Sequence, residues 1–137
     1  IVIGLHIEDA VYGPLYFDYG AEGYFARSKV SRQIDHRIMK FQPETALILV
    51  TASPEVIAGR LKSDPHQNAV LKEKDIEHVL QRFEEENDKS LIARKLTLDT
   101  STATVGETLA ELVKKLEPFL SAADRLRILT HHQLQKS

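Results

Sequence analysis

The sequence predicts an α/β protein with a parallel sheet and flanking helices. Short runs of β-branched and aliphatic residues alternate with longer stretches that carry apolar side chains at helical spacing. The order strand, helix, strand, helices, strand, helix is typical of βαβ crossovers, which lay helices against a parallel sheet. Ligands of such sheets bind beyond the carboxyl ends of the strands, so we expect a functional site there.

Size and composition are those of an ordinary globular chain. The 137 residues suit about one domain, and 42% hydrophobic with 28% charged residues is not typical of disorder. Eighteen Lys and Arg against 20 Asp and Glu give a formal charge of -2, which argues against non-specific nucleic-acid binding. The absence of Cys excludes disulfides, a thiolate nucleophile and a Cys-type zinc site.

No apolar run approaches the ~18 residues of a membrane helix, and no signal-peptide pattern is present. We therefore expect a cytoplasmic protein that has no membrane partner. The chain opens at Ile1 without an initiator Met, within what reads as a buried strand. One α/β domain is expected over residues 1–137, incomplete at its N-terminus.

The first half of the chain is predicted to contain a strand, a loop, a helix and a second strand. β-branched side chains favour a strand over residues 1–7, and glycine with proline indicates a loop over residues 10–20. Apolar positions at helical spacing predict a helix over residues 22–40. The apolar run 46–50 is typical of a strand buried on both faces.

Helices dominate the prediction for the second half. Ser53, Pro54 and Glu55 form a helix start, because serine can cap, proline suits the first helical position and glutamate favours the positive end of the helix dipole. That helix is expected to end near Lys62. A longer helix is predicted over residues 73–92, a short strand over 95–98 and a second longer helix over 104–120. The tail, residues 121–137, is predicted to begin as a short helix.

Three segments resemble the P-loop nucleoside and nucleotide kinases, the deoxynucleoside and thymidylate kinases among them. The run 48–55, followed by Arg60, is similar to the family's hydrophobic strand that leads into a Ser/Pro-Glu helix start, an Arg and a basic lid. Residues 96–101 and the helix after them resemble the last strand, adenine-side loop and C-terminal helix. Residues 8–12, with Tyr16, are similar to the Glu-Arg-Ser-x-Tyr segment of deoxynucleoside kinases.

The resemblance implies a P-loop kinase fold that lacks its first strands. It also implies transfer of the γ-phosphoryl group of ATP, with Mg²⁺, to a small hydroxylated or phosphorylated acceptor. The family's Gly-rich phosphate loop has no counterpart among the six scattered Gly, and Asp9 stands where the family has a catalytic Arg. The missing strand would leave a slot in the sheet, which would favour a homodimer.

Two functions are therefore expected as alternatives. The first is the substrate-and-lid part of a nucleoside or nucleotide kinase-like protein, whose ATP and Mg²⁺ bind only to the complete protein, so that the chain as given is inactive. The second is a non-catalytic α/β module, related to kinases, that binds a ligand or partner. A small-molecule substrate is the expected partner, and no metal site is expected within the chain.

The candidate acceptor site lies near the end of the first predicted strand. Glu8 and Asp9 stand at a predicted strand end, where a general base or a Mg²⁺-binding carboxylate would be catalytic; a solvated loop pair or a helix cap is the alternative. In the resembled kinases Glu8 would hold the nucleophilic hydroxyl. His6 would share the strand face of Glu8 and bind substrate, or form only a structural hydrogen bond. Tyr12 and Tyr16 would stack on a base or sugar, or pack the loop on the core.

The candidate phosphate site lies in the predicted lid, residues 60–74. Arg60, as a catalytic and phosphate-binding group, would act there with Lys62 and His66; the alternative is a solvated basic loop. The resemblance assigns the nucleotide-base loop to three residues: Asp99, Thr100 and Ser101.

Two other charged groups are predicted to face solvent. The arginines of the first predicted helix are expected to be solvated rather than phosphate-binding: Arg27, Arg32 and Arg37. The run 84–86 of three Glu is expected to form a solvated helix face.

Overall fold

The protein is a mixed α/β chain with mostly helices and a two-stranded parallel sheet, which confirms the predicted fold class at that level. The computed structural model describes residues 3–65 and 70–134. The chain forms two compact units, Ile1–Thr102 and Ala103–Ser137, each of which is described by itself. The assignment of the whole chain to one domain stays a prediction.

The sheet consists of β1 (Ala46–Thr51) and β2 (Arg94–Asp99), both predicted from the sequence. The strands run parallel with Thr51 opposite Asp99, so their carboxyl ends lie side by side. Among the described residues no third strand joins them. The prediction that the first of these strands is buried on both faces is therefore wrong: its side chains are mostly half-buried, and Val50 is 60% exposed.

The first helix, α1 (Leu5–Tyr16), replaces a predicted strand and most of a predicted loop. The strand over residues 1–7 is wrong from Leu5 onwards, and the loop over residues 10–20 is wrong as far as Tyr16. The buried side chains of α1 are spaced as one helical face: His6, Ile7, Ala10 and Val11. Pro14 lies inside the helix although it cannot donate a backbone hydrogen bond. Burial of this face outweighs both the β-branched residues and the proline.

The start of α1 places a carboxylate against the backbone. Gly4 has a φ of 78°, a conformation that L side chains rarely adopt. A Cβ at Gly4 would collide with the carboxylate of Glu8, which lies one turn further along. Glycine at this position therefore permits both the sharp entry into the helix and the position of Glu8.

The second helix begins later than predicted. α2 spans Arg27–Phe41 instead of residues 22–40, because the chain before it turns at Gly20 and Gly23, whose φ values are 72° and 84°. The backbone N–H of Arg27 donates to the carbonyl of Gly20 at 2.8 Å and closes this turn.

Local capping fixes α3 (Pro54–Ser63) as predicted. The side chain of Ser53 accepts a hydrogen bond from the backbone N–H of Val56 at 3.4 Å. The next predicted helix, 73–92, is present as a 3₁₀ turn, Glu73–Asp75, followed by α4 (Ile76–Lys89).

The second unit contains α5 (Val105–Leu116) and α6 (Ala122–Leu134). Thr104 and Glu107 form a capping box at the start of α5. The predicted helix 104–120 continues only as a 3₁₀ turn, Glu117–Phe119, because Pro118 has no N–H to extend the α-helical ladder. No helix in the described part of the chain is long and apolar enough to cross a membrane.

Buried charges join the helices of the first unit. Asp35 on α2 is fully buried, and its carboxylate is hydrogen-bonded to His6 of α1 at 2.6 Å. The other carboxylate oxygen accepts the backbone N–H of Leu91 at 3.0 Å. One aspartate thus connects α1, α2 and the segment between α4 and β2.

Glu86 on α4 forms the second half of this network. Its carboxylate lies 3.1 Å from Arg32 and 2.9 Å from Arg82, and it accepts the hydroxyl of Ser28 at 2.9 Å. The prediction of a solvated face over residues 84–86 is wrong for Glu86, which has no exposed surface. The prediction that Arg32 is solvated is also wrong, because its ion pair with the buried carboxylate of Glu86 keeps its guanidinium partly buried.

Candidate functional site

A cleft of about 480 Å³ opens beside α1. Its volume is in the range of small-molecule sites. Its described lining includes both polar and apolar side chains: Leu5, Glu8, Asp9, Tyr12, Gly13, Phe17, Tyr19, Val70 and Leu71. These residues come from α1, the segment after it and the segment before α4.

Glu8 and Tyr12 are neighbours on one face of α1, because they are four residues apart. Glu8 is exposed and makes no hydrogen bond or ion pair with any residue of the described ranges. Burial is the main cause that raises the pKa of Tyr12, and the negative charge of Glu8 raises it further. The cleft therefore combines a carboxylate with open lone pairs and a phenol that stays protonated at neutral pH.

Asp9 has a different environment from that of Glu8. Its carboxylate accepts the phenol of Tyr19 at 2.5 Å and pairs with the guanidinium of Arg27, which also lies over the Tyr19 ring at 5.5 Å. The hydrogen bond to Asp9 is the largest cause that raises the pKa of Tyr19. The prediction of a solvated Arg27 is wrong, since this arginine neutralises Asp9.

Tyr16 is not among the described lining residues of the cleft. Its hydroxyl donates to Asp75 at 3.0 Å and accepts the backbone N–H of Lys72 at 3.3 Å. Its ring lies 5.9 Å from that of Tyr12, which meets Phe83 of α4 edge-on at 5.6 Å. The ring of Tyr12 is thereby held in place.

His6 does not share a face with Glu8. The prediction that placed it there assumed a strand, but two residues along a helix turn the side chain to the opposite side. Its imidazole is buried and bound to Asp35, away from the wall of the cleft.

A second group of the predicted residues meets at the carboxyl ends of the strands. The guanidinium of Arg60, near the end of α3, donates to the hydroxyl of Thr100 at 3.0 Å and to its carbonyl at 2.7 Å. Thr100 in turn donates its backbone N–H to the carbonyl of Thr51 at 2.8 Å. Arg60 and the predicted nucleotide-base loop are therefore in direct contact.

Asp99 and Ser101 form a tight turn within that loop. The Ser101 hydroxyl donates to Asp99 at 2.5 Å and its backbone N–H donates to the same oxygen at 2.8 Å, which lowers the pKa of Asp99. The Ser101 hydroxyl also accepts the backbone N–H of Ser53 at 2.8 Å, which joins the loop to the start of α3.

The predicted lid residues are less closely assembled. Lys62 forms an exposed ion pair with Glu73 at 2.7 Å. His66 lies outside the described residues. The described lining of the cleft contains neither Lys62 nor Arg60, nor any residue of the strand ends.

Sequence reasoning identified Glu8, Asp9 and Tyr12 but missed other parts of the cleft. With Asp9, the residues Leu5, Gly13 and Phe17 line the cleft at helical spacing. The sequence could not reveal this spacing, because its pattern predicts a strand and a loop for the segment. Phe17 and Tyr19 also belong to a segment rich in aromatic residues, because six of the nine Phe and Tyr residues of the chain lie within residues 12–25.

The cleft can accept a hydroxyl hydrogen bond at Glu8 and can pack a planar ring against Tyr12 and Phe17. Among the described residues, no group of three or more His, Asp or Glu side chains could hold a metal ion. Comparisons with protein-family models, curated proteins and solved structures find no significant match to this chain.

Proposed function

We propose that this chain is the acceptor-and-lid part of a nucleoside- or nucleotide-kinase-like phosphotransferase. The observation that carries the proposal is the cleft beside α1, in which the unpaired carboxylate of Glu8 stands next to the phenol of Tyr12. A carboxylate there would accept the hydrogen bond of an acceptor hydroxyl and orient its oxygen for attack.

The strand-end loop supports the same proposal. Arg60 contacts Thr100 at the carboxyl edge of a parallel sheet, where nucleotides bind in open α/β folds. In the complete protein this loop would adjoin the adenine of ATP, and bound Mg²⁺ would supply charge neutralisation for phosphoryl transfer. The residues of this chain would bind and orient the acceptor.

A second candidate function is that of a non-catalytic binding module. Asp9 favours it, because the aspartate stands where the resembled kinases have a catalytic Arg and is already paired with Arg27. The two candidates share a ligand-binding cleft and differ in phosphoryl transfer, for which the chain has no Gly-rich phosphate loop.

Equilibrium binding of a nucleoside panel tests the shared cleft. We expect saturable heat on titration with at least one nucleoside, and about a tenfold weaker Kd for Glu8→Gln, because a hydrogen bond to a charged group is worth about 1.5 kcal/mol or more. Glu84→Gln, an exposed glutamate on α4, is the matched control and should bind as the unmodified chain does. Equal affinity of Glu8→Gln and the unmodified chain would remove Glu8 from the site.

A further inference from the structure

A second cavity lies along α2 and is independent of the proposed acceptor cleft. It measures about 400 Å³, and its lining residues are Arg32, Gln33, His36, Arg37 and Leu91. Four of these five residues form one strip of α2, because Gln33, His36 and Arg37 follow Arg32 by one, four and five positions. The described lining residues of the two cavities do not overlap.

The α2 side of this cavity is a surface of hydrogen-bond donors. Every one of the four α2 side chains has at least one N–H group, and the described lining of the cavity contains no carboxylate. Gln33, His36 and Arg37 are exposed, and none forms a hydrogen bond or ion pair with the part of the chain that the structure describes. The donors of these three side chains are available to a ligand.

Contacts with buried residues fix the position of the Arg32 guanidinium. Its Nη2 lies 3.1 Å from the buried carboxylate of Glu86 and donates to the hydroxyl of Ser31 at 2.8 Å. Its Nε lies 3.4 Å from the carboxylate of Asp35. Nη1 is buried and has no hydrogen-bond partner among the described residues. The inner contacts thus orient the guanidinium, and the carboxylates of Asp35 and Glu86 offset its charge.

The opposite wall is held at a fixed distance from α2. Leu91 is 52% exposed, so its side chain presents an apolar surface to the cavity. Its backbone N–H donates to Asp35 on α2 at 3.0 Å. The cavity therefore combines the donor groups of α2 with one apolar side chain, and a hydrogen bond from Leu91 to Asp35 holds the two together.

We propose that this cavity binds a phosphate group, either as inorganic phosphate or as part of a small phosphomonoester. The exposed guanidinium of Arg37 supplies a permanent positive charge and a planar donor pair that matches phosphate oxygens. Several donors in one cavity suit the larger number of oxygens on a phosphate group better than the oxygens of a single carboxylate. His36 and Gln33 provide further donors, and Leu91 would contact the organic part of an ester.

Titration of the ¹⁵N-labelled 137-residue chain tests this site by NMR, with inorganic phosphate and phenyl phosphate at constant ionic strength. We expect saturable shifts at the amides of residues 32–37 and of Leu91. Arg37→Gln should weaken binding about tenfold, because it removes a charge-assisted pair. Arg127→Gln, an exposed arginine on α6, is the matched control and should leave the affinity unchanged.

The two phosphate sources give different results in the same titration. A phosphomonoester ligand predicts that phenyl phosphate binds more tightly than inorganic phosphate, and that Leu91→Ser removes the difference. Equal affinities assign the site to inorganic phosphate. Absence of saturable shifts at residues 32–37, or an unchanged affinity in a folded Arg37→Gln chain, would overturn the proposal.

Discussion

His6 Nε2 lies 2.6 Å from Oδ1 of Asp35, and both side chains are buried. This hydrogen bond joins α1, which forms much of the candidate acceptor cleft, to α2, which forms the second cavity. The other oxygen of Asp35 binds the backbone of Leu91. Both proposed sites therefore depend on one buried carboxylate for the position of their walls.

Replacement of that carboxylate should destabilise the protein strongly. Asp35→Ala leaves His6 and the N–H of Leu91 without their buried partner, so we expect the free energy of unfolding to fall by about 3–5 kcal/mol. Chemical denaturation measures this loss, and Asp88→Ala, an exposed aspartate of α4, is the control. A loss below about 1 kcal/mol for Asp35→Ala would contradict the structural role given to Asp35.

The same carboxylate should make stability depend on acid pH. Burial alone would raise the pKa of Asp35, but hydrogen bonds from His6, Leu91 and Ser90 outweigh burial and lower the pKa below 3.8. A lowered folded-state pKa contributes stability that is present above the unfolded-state pKa and is lost as pH falls through the folded-state pKa. Below about pH 4, the free energy of unfolding measured in urea should fall less steeply for Asp35→Asn than for the unmodified chain. The same dependence of this free energy on pH in both chains would contradict this.

Arg60 should control the loop at the strand ends with little effect on global stability. Its guanidinium is exposed and holds Thr100 through two hydrogen bonds, so Arg60→Ala should shift the amide resonance of Thr100. The free energy of unfolding should change by less than about 1 kcal/mol. Lys62→Ala, which breaks only an exposed ion pair, should leave the resonance of Thr100 in place. If the amide resonance of Thr100 does not shift in Arg60→Ala, the two residues are not in contact in solution.

The 137-residue chain should transfer no phosphoryl group from ATP by itself. Its glycines are scattered singly, and no Gly-rich segment ends in Lys-Ser or Lys-Thr to bind the β- and γ-phosphates. A radiolabelled ATP assay with the nucleoside panel checks this. Turnover that disappears in Glu8→Gln would contradict the prediction, whereas a contaminating kinase would give equal turnover with both preparations.

Sequence reasoning worked where local chemistry determines the structure. Ser53 and Pro54 specify a helix start through capping and a fixed φ, and the structure has a helix there. It failed for residues 5–16, where a β-branched start and Pro14 suggested a strand and a loop. There the helical burial of one face prevailed, and that burial depends on residues distant in the chain.

The same limit applies to the sites. Glu8 and Tyr12 could be proposed because both belong to one short segment. The pairings that shape the sites join residues many positions apart, and no local pattern predicts which partner is chosen: Asp9 with Arg27, His6 with Asp35 and Arg32 with Glu86. These partners also explain why charged residues that resembled solvated faces are partly or fully buried.

The proposed function requires that an acceptor nucleoside binds in the cleft beside α1. Saturation-transfer and intermolecular NOE measurements on the chain, with the nucleoside that binds most tightly, test it most directly. We expect contacts from the nucleoside to the rings of Tyr12 and Phe17, and loss of those contacts when Glu8→Gln weakens binding. Contacts that map to Thr100 and Arg60 instead, with none at Tyr12 or Phe17, would contradict it.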